Sequence, residues 1–247
     1  DRIIAYVKYG KWKDALDLYD RAAAKKDSSS SPPHLPAPAY VALLRACAFL
    51  RDLHRGMKLH HDISSNGLLD HDLFIGSTML FMYAKCGSLA EARDSFFELP
   101  VRNVVSWNTM ISGYVEYGPQ VHALQCFEQI KLEGLSPTDA TMASMFKVCG
   151  ATESYGKGRE IHTMLLMLRS KDTTKVNDDA DAGDLSKIGL CVGNALIGMY
   201  SRRGGSQEAA QMVFDGLIDR DVVTWTALIA GYVEHGPVEE ALICFEA

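Results

Sequence analysis

This 247-residue chain lacks the patterns on which most enzyme chemistry is written. Its six cysteines, Cys47, Cys86, Cys126, Cys149, Cys191 and Cys244, form no C-x-x-C pair, and no Cys/His group has zinc spacing. Each lies in an apolar helical stretch. They read as small buried hydrophobes in a reducing compartment, not as disulfides or metal ligands. No apolar run reaches the roughly 18 residues of a membrane span. No glycine-rich phosphate loop occurs, since "YAKCGS" and "RRGGS" read as hairpin turns. No nucleophile is spaced with a base. Positive charge is scarce as well: 25 Lys and Arg stand against 31 Asp and Glu, a net charge of −6, whereas nucleic-acid binders are usually basic. No leader is visible either. Asp1-Arg2-Ile3-Ile4 already reads as helix, so the chain is expected to begin inside a longer protein.

What the chain has is apolar material, 47% of its residues, arranged in repeats. "VVSWNTMISGYVEYGPQVHALQCFE" (104–128) returns as "VVTWTALIAGYVEHGPVEEALICFE" (222–246). Between the copies, "STMLFMYAKCGSLAEARDSF" (77–96) resembles "NALIGMYSRRGGSQEAAQMVF" (194–214). "LLRACAFLRDLHRGMKLHH" (43–61) likewise resembles "MFKVCGATESYGKGREIHT" (145–163), matching Cys47 to Cys149, Gly56 to Gly158 and His60 to His162. Three unit types recur in one order, each roughly 31–36 residues long, a period that means solenoids.

Each unit reads as two helices. Trp107, Met110, Ile111 and Tyr114 recur at helical spacing, and Gly118-Pro119 breaks the helix. Ala123, Leu124, Phe127 and Ile130 form a second stripe, ended by Gly134 and Pro137. A single hairpin cannot bury both stripes, whereas stacked hairpins can. Two stretches break the rhythm. "SSSSPPHLPAP" (28–38) reads as a Ser/Pro linker. "RSKDTTKVNDDADAGDLSK" (169–187) is polar and acidic, too poor in apolar residues to offset the entropy of ordering, and is expected to be disordered. Its aspartates lack EF-hand spacing.

"VVSWNTMISGYVEYG", "LLRACA…GMKLHH" and "MYAKCGSLAEARDSFFELPVRN" together resemble pentatricopeptide repeats, in the plant organellar class that alternates P, L and S units. Tetratricopeptide repeats are the nearest alternative, but "VVSWN" and "MYAKCG" do not fit them. The resemblance covers essentially the whole chain. It implies an all-α fold, a right-handed superhelical solenoid of helix-turn-helix repeats. The parse is one array over 1–247. A partial P unit with the linker (1–36) is followed by L (37–72), S (73–103) and P (104–138). An L unit with the insertion (139–189), S (190–221) and a partial P (222–247) complete it.

The same resemblance implies binding of single-stranded organellar RNA, not DNA, at about one base per unit. The fifth and last residues of a unit would select the base, and the second would pack against it. That assigns Ser77 with Asn103 and Phe74 in the third unit, and Asn108 with Thr138 and Val105 in the fourth. It assigns Asn194 with Asp221 and Cys191 in the sixth, and Thr226 with Val223 in the seventh. The implied bases are adenine, a pyrimidine, uracil and a purine in turn. Val41 and Ala143, at the fifth position of the L units, cannot hydrogen-bond and imply no base choice. Asn108 and Asn194 near a helix start also fit caps or turn residues.

Lys8, Lys85 and Arg202 fall where the family carries a basic residue for phosphate. Glu116 and Glu234 occupy that place in the P-type openings, where they would repel phosphate or serve only as solvated charges. His60 and His162 recur at one packing position and read as framework. The H-x-E and P-C-x-x-C signature of zinc deaminases is absent from these residues, so no catalytic residue, metal or cofactor is expected here. An editing deaminase beyond the C-terminus, or supplied by a partner or accessory editing factor, would complete C-to-U editing in a mitochondrion or chloroplast. The other reading is a repeat scaffold that binds a peptide or subunit of an organellar complex, which the acidic balance favours.

Overall fold

The computed structural model describes residues 2–24, 35–70, 72–171, 188–202 and 205–246. Fourteen α-helices and one short 3-10 turn (Leu68–Asp70), with no strand, make up the secondary structure of these residues, so the all-α expectation holds. The chain forms two compact units, Asp1–His122 and Ala123–Ala247. Each is a stack of helical hairpins.

The first unit contains α1 (Arg2–Lys8), α2 (Trp12–Ala24), α3 (Ala37–Leu50), α4 (Leu53–Ser65), α5 (Leu73–Lys85), α6 (Leu89–Glu98) and α7 (Val104–Tyr117). α8 (Gln120–Leu132) begins at its end. The second unit holds α9 (Asp139–Ala151), α10 (Tyr155–Lys171), α11 (Leu190–Tyr200), α12 (Gln207–Gly216), α13 (Val222–His235) and α14 (Val238–Glu246). Odd-numbered helices open the hairpins and lie side by side: α1 on α3, α3 on α5, α5 on α7, and in the second unit α9 on α11 and α11 on α13. Even-numbered helices brace the next opening helix within a unit: α2 on α3, α4 on α5, α6 on α7, α10 on α11 and α12 on α13.

Burial follows from that placement. The inner α5, flanked by two neighbours and two braces, buries nine of its 13 residues. The outer α6 buries three of its ten. An inner helix therefore needs apolar residues nearly all round, and an outer one only a stripe.

Starts and stops are local. Asp72 Oδ1 accepts from the Phe74 and Ile75 amides at 2.8 and 3.3 Å, and Asp52 caps α4 through the Arg55 amide at 3.1 Å. Pro36 and Pro38 flank the start of α3, where a missing N–H costs nothing. α8 stops ahead of Gly134, whose φ of +69° suits glycine. Of the expected Ser/Pro linker, 28–34 lie outside the described residues, and Ala37 and Pro38 belong to α3. Of the expected insertion, 172–187 lie outside them too. Residues 169–171 instead continue α10, where the Arg169 guanidinium contacts Asp139.

The repeated sequence reappears as repeated contacts. Phe96 meets Trp107 edge to face with ring centroids 4.5 Å apart, and Phe214 meets Trp225 at 4.6 Å. An arginine covers each phenylalanine, Arg102 at 5.9 Å and Arg220 at 4.7 Å. His60 Nδ1 lies 2.8 Å from the Tyr83 hydroxyl, and His162 Nδ1 lies 3.1 Å from that of Tyr200. Burial pushes both imidazoles below their ordinary range, which suits neutral framework residues. Burial also pushes the Cys47 thiol up to about 12 and those of Cys126 and Cys149 to about 11, so these three are unreactive. Cys191 differs from the expectation for cysteines as a group. It is exposed, because the second residue of α11 faces outward.

Two glycines inside inner helices separate packing from openness. A Cβ on Gly231 would lie 2.4 Å from Ser201 Cβ, whereas one on Gly198 would meet nothing within 4 Å. Gly198→Ala is expected to raise stability by up to about 1 kcal/mol by removing unfolded-state freedom. Gly231→Ala is expected to lower it by about 1–3 kcal/mol through overpacking. Urea unfolding midpoints of the two variants check both.

Candidate nucleic-acid interface

The outward face of the inner helices carries the candidate residues. Phe74, Val105 and Val223, each second in its unit, are 54, 59 and 58% exposed, which no packing role explains. Cys191 shares that exposure. The fifth residues sit one turn further in. Asn108 and Asn194 are half-buried and Thr226 is exposed, with its hydroxyl donating to the Val222 carbonyl. Ser77 departs from this pattern. It is buried, and its Oγ donates to the Phe74 carbonyl at 3.1 Å, the back-bond a short hydroxyl makes inside a helix. Val41 and Ala143 are buried at the same register.

The last residues prove to be helix caps. Asn103 Oδ1 accepts from the Ser106 amide at 2.9 Å, while Ser106 Oγ accepts from the Asn103 amide at 3.0 Å. Thr138 forms the same reciprocal box with Thr141, and Asp221 with Thr224. The capping role considered for Asn108 thus belongs to Asn103, which ends the preceding unit, whereas the helix of Asn194 is capped by Gly189 without a side-chain hydrogen bond. Asn108 and Thr138, a base-selecting pair in the sequence reading, fall in different units of the structure.

One groove in the second unit, with a volume of about 590 Å³, gathers the residues expected of a single site. Cys191 and Val223 line it from successive inner helices, with Asn194 and Asp221 between them and Lys147 and Arg202 at its side. Asn194 Nδ2 donates to Asp221 Oδ1 at 3.2 Å, so fifth and last residues are one hydrogen-bonded pair. The Thr224 hydroxyl lies 2.6 Å from Asn194 Oδ1 and 2.9 Å from Asp221 Oδ1. Hydrogen bonds from the Thr224 amide, then from its hydroxyl, hold the Asp221 carboxyl below the usual carboxylate range, so it is an anionic acceptor at neutral pH. Arg202 is exposed and makes no ion pair among the described residues.

The first unit treats its basic residue differently. Lys85 Nζ donates to Glu116 Oε2 at 2.6 Å, so the lysine expected at phosphate is matched by the glutamate expected to repel it. That hydrogen bond pulls the Glu116 carboxyl below its ordinary value and raises the Lys85 ammonium above its own. Sequence reasoning placed these residues in different units and gave no sign of the pairing. Lys8 is exposed. In the first unit a second groove of about 630 Å³ is lined by Ser77, Val105 and Lys85 together with aromatic rings. Among the described residues no group of three metal-capable side chains occurs, and no helix is long and apolar enough to cross a membrane.

The carboxyl of Glu116 is depressed, so the pair's contribution is full above the ordinary glutamate value and fades as pH falls through the lowered one. With both groups a third or more exposed, it stays within about 1 kcal/mol. The unfolding free energies of the wild-type chain and Glu116→Gln are expected to differ at neutral pH and to converge by about pH 3.

The model of the PPR repeat family matches residues 102–151, and the PPR repeat model matches 3–24 and 223–247. Among Arabidopsis thaliana proteins, the mitochondrial pentatricopeptide repeat-containing protein At3g24000 is 36% identical over 207 residues, covering 84% of this chain and 30% of that protein. The chloroplastic At4g18520 is 36% identical over 202 residues, 82% of this chain and 30% of that protein. The chloroplastic/mitochondrial At1g59720 is 32% identical over 234 residues, 95% and 33%. The chain thus spans about a third of the length of these relatives. Among solved structures, the pentatricopeptide repeat protein PPR10 from maize superposes with a TM-score of 0.71 at 20% identity, over 99% of this chain and 32% of that one. PPR10 in complex with an 18-nt psaJ RNA element gives 0.60 at 17%, over 100% and 38%. Repeat models at three places, relatives of one kind and a shared fold agree, and this is a pentatricopeptide repeat protein.

Proposed function

We propose that the chain recognises single-stranded RNA in a mitochondrion or chloroplast, reading about one base per repeat. The observation that carries this is the second-unit groove. There an outward-facing residue of each of two successive repeats flanks a paired amide and carboxylate, with two cations alongside. The flanking side chains suit the two faces of a splayed base, the polar pair its edge, and Lys147 and Arg202 its phosphates. PPR10, whose fold this chain shares, has been crystallised with RNA, and the relatives' names carry both organelles.

The chemistry at that groove selects a base. The Watson–Crick edge of uracil presents an N–H beside carbonyls. An anionic acceptor for the N–H and an amide donor for a carbonyl are the complementary set. Asp221 supplies the first, and the second amide hydrogen of Asn194 supplies the other. Cytosine presents a ring-nitrogen acceptor there, which a carboxylate repels. Thr226 and Ser77 mark the purine and adenine positions, and Asn108 a pyrimidine. The alternation of three unit types supports the P, L and S class and site recognition for C-to-U editing, with the deaminase carried on a partner or elsewhere. A scaffold that binds protein is the second reading. It is favoured by the net charge of −6 and by the neutralisation of Lys85 by Glu116.

Selection from a random single-stranded RNA pool at two salt concentrations tests the reading. Enrichment that weakens with salt supports it, and no enrichment sinks it. Asp221→Asn keeps a competent cap while removing the charge. It is expected to shift one position of the selected motif from uracil towards cytosine, without changing the unfolding midpoint by more than a small fraction.

A further inference from the structure

The first unit carries a feature that one-base-per-repeat reading does not use. Its groove is walled by exposed aromatic rings. Trp12 and Phe49 stack with centroids 4.9 Å apart and planes within 28°. Phe49 is 68% exposed, Phe81 40% and Tyr117 37%. Such rings add little to the core, and exposed apolar clusters mark binding surfaces. Cations are already laid over them. The Arg51 guanidinium sits 5.6 Å above the Tyr117 ring, and Lys85 Nζ lies 5.7 Å from Tyr117 and 5.8 Å from Phe81. Arg45 lines the same groove and lies 5.6 Å over Phe74.

The second unit supplies the internal control. Aligning the repeats sets Phe49 against Ala151, Arg51 against Glu153, Phe81 against Gly198 and Tyr117 against His235. Arg45 and Lys85 keep their charge as Lys147 and Arg202. The framework is common to both, but the aromatic walls and the cation at 51 belong to the first unit alone. Arg51 and Glu153 are also the two non-glycine residues with positive φ among those described, both at +54°. The same uncommon backbone thus points arginine towards one groove's rings and stands under a glutamate in the other unit.

We propose that this cationic aromatic groove is a base-blind grip on single-stranded RNA. Bases stack on Phe81 and on the Trp12–Phe49 pair, phosphates lie against Arg45 and Arg51, and none of these side chains reads a base edge. Aromatic faces accept every base, because every base has a π-face, while guanidinium groups hold the backbone. A chain with net charge −6 needs a local source of affinity, and this groove concentrates three cations against the one carboxylate of Glu116. The inference rests on the RNA reading above, and the test separates the two.

The affinity of the intact chain is measured for labelled RNAs of equal length, rich in U, A or C. Phe81→Ala is expected to weaken all three by a similar factor, about fivefold or more. It leaves the order of preference intact. Ala151→Phe, which puts a ring at the second unit's exposed counterpart of Phe49, is expected to strengthen all three by a comparable factor. This gain does not depend on a variant that unfolds. Arg51→Glu, the second unit's residue, is expected to lower the salt slope by about one phosphate contact. If the wild-type chain binds with base preference but Phe81→Ala and Ala151→Phe leave affinity unchanged, or alter one RNA only, the grip is wrong and the reading stands. A wild-type chain that binds none of the RNAs overturns both. Binding of a Glu–Tyr copolymer that is lost in Phe81→Ala, with RNA affinity retained, assigns the groove to a protein and overturns the grip.

Discussion

A hairpin of two helices has more apolar surface than it can cover alone, and that shortage governs this molecule. An opening helix inside a unit, such as α5, is closed on by its own partner α6, by α4 before it and by α3 and α7 on either side. α5 accordingly buries most of its length, while α6 buries a narrow stripe. Only one strip of an inner helix escapes burial. Whatever the protein recognises must be met by the few side chains on that strip, so Phe74, Val105, Cys191 and Val223 are exposed although the residues that follow them, Ile75, Ser106, Val192 and Thr224, are buried.

The cap residues tie recognition to folding. Asn103, Thr138 and Asp221 each satisfy an orphan amide at the start of an inner helix, and each stands last in a unit, beside the position thought to read a base. Although Pro36 and Gly189 hold it before α3 and α11, such a position favours short polar side chains that accept from the backbone, namely Asn, Asp, Ser and Thr. Those are also the side chains that differ in donors and acceptors at similar size. Variation in a reading head can therefore proceed without disturbing the helix it starts. Asp221 shows both duties at once, since the bonds that cap α13 are the ones that keep it charged.

Charge is distributed by pairing rather than by excess. Lys85 is met by Glu116, and Lys157 lies 2.7 Å from Glu128 and 3.1 Å from Glu160. Exposed pairs of this kind add little stability. Their effect is to cancel the field over most of the surface. Four cations that face the grooves make no ion pair among the described residues, Arg202 and Lys147 in one unit and Arg45 and Arg51 in the other.

The repeat order and the two helices per repeat were legible in the chain itself, while the outward second residue came only with the family resemblance. They depend on spacing within a helix turn and on the breaks at Gly118-Pro119 and Gly134, which are local properties. Partnerships between repeats were not. Lys85 with Glu116, and the convergence of Phe49, Phe81 and Tyr117 from three helices, join residues far apart in sequence. Whether such side chains meet depends on how closely one hairpin settles on the next. That closeness is set by the volumes between them, such as a glycine at 56 or 158 beneath a methionine of the following helix. Periodicity says which way a residue faces. Only the packed stack decides what faces it.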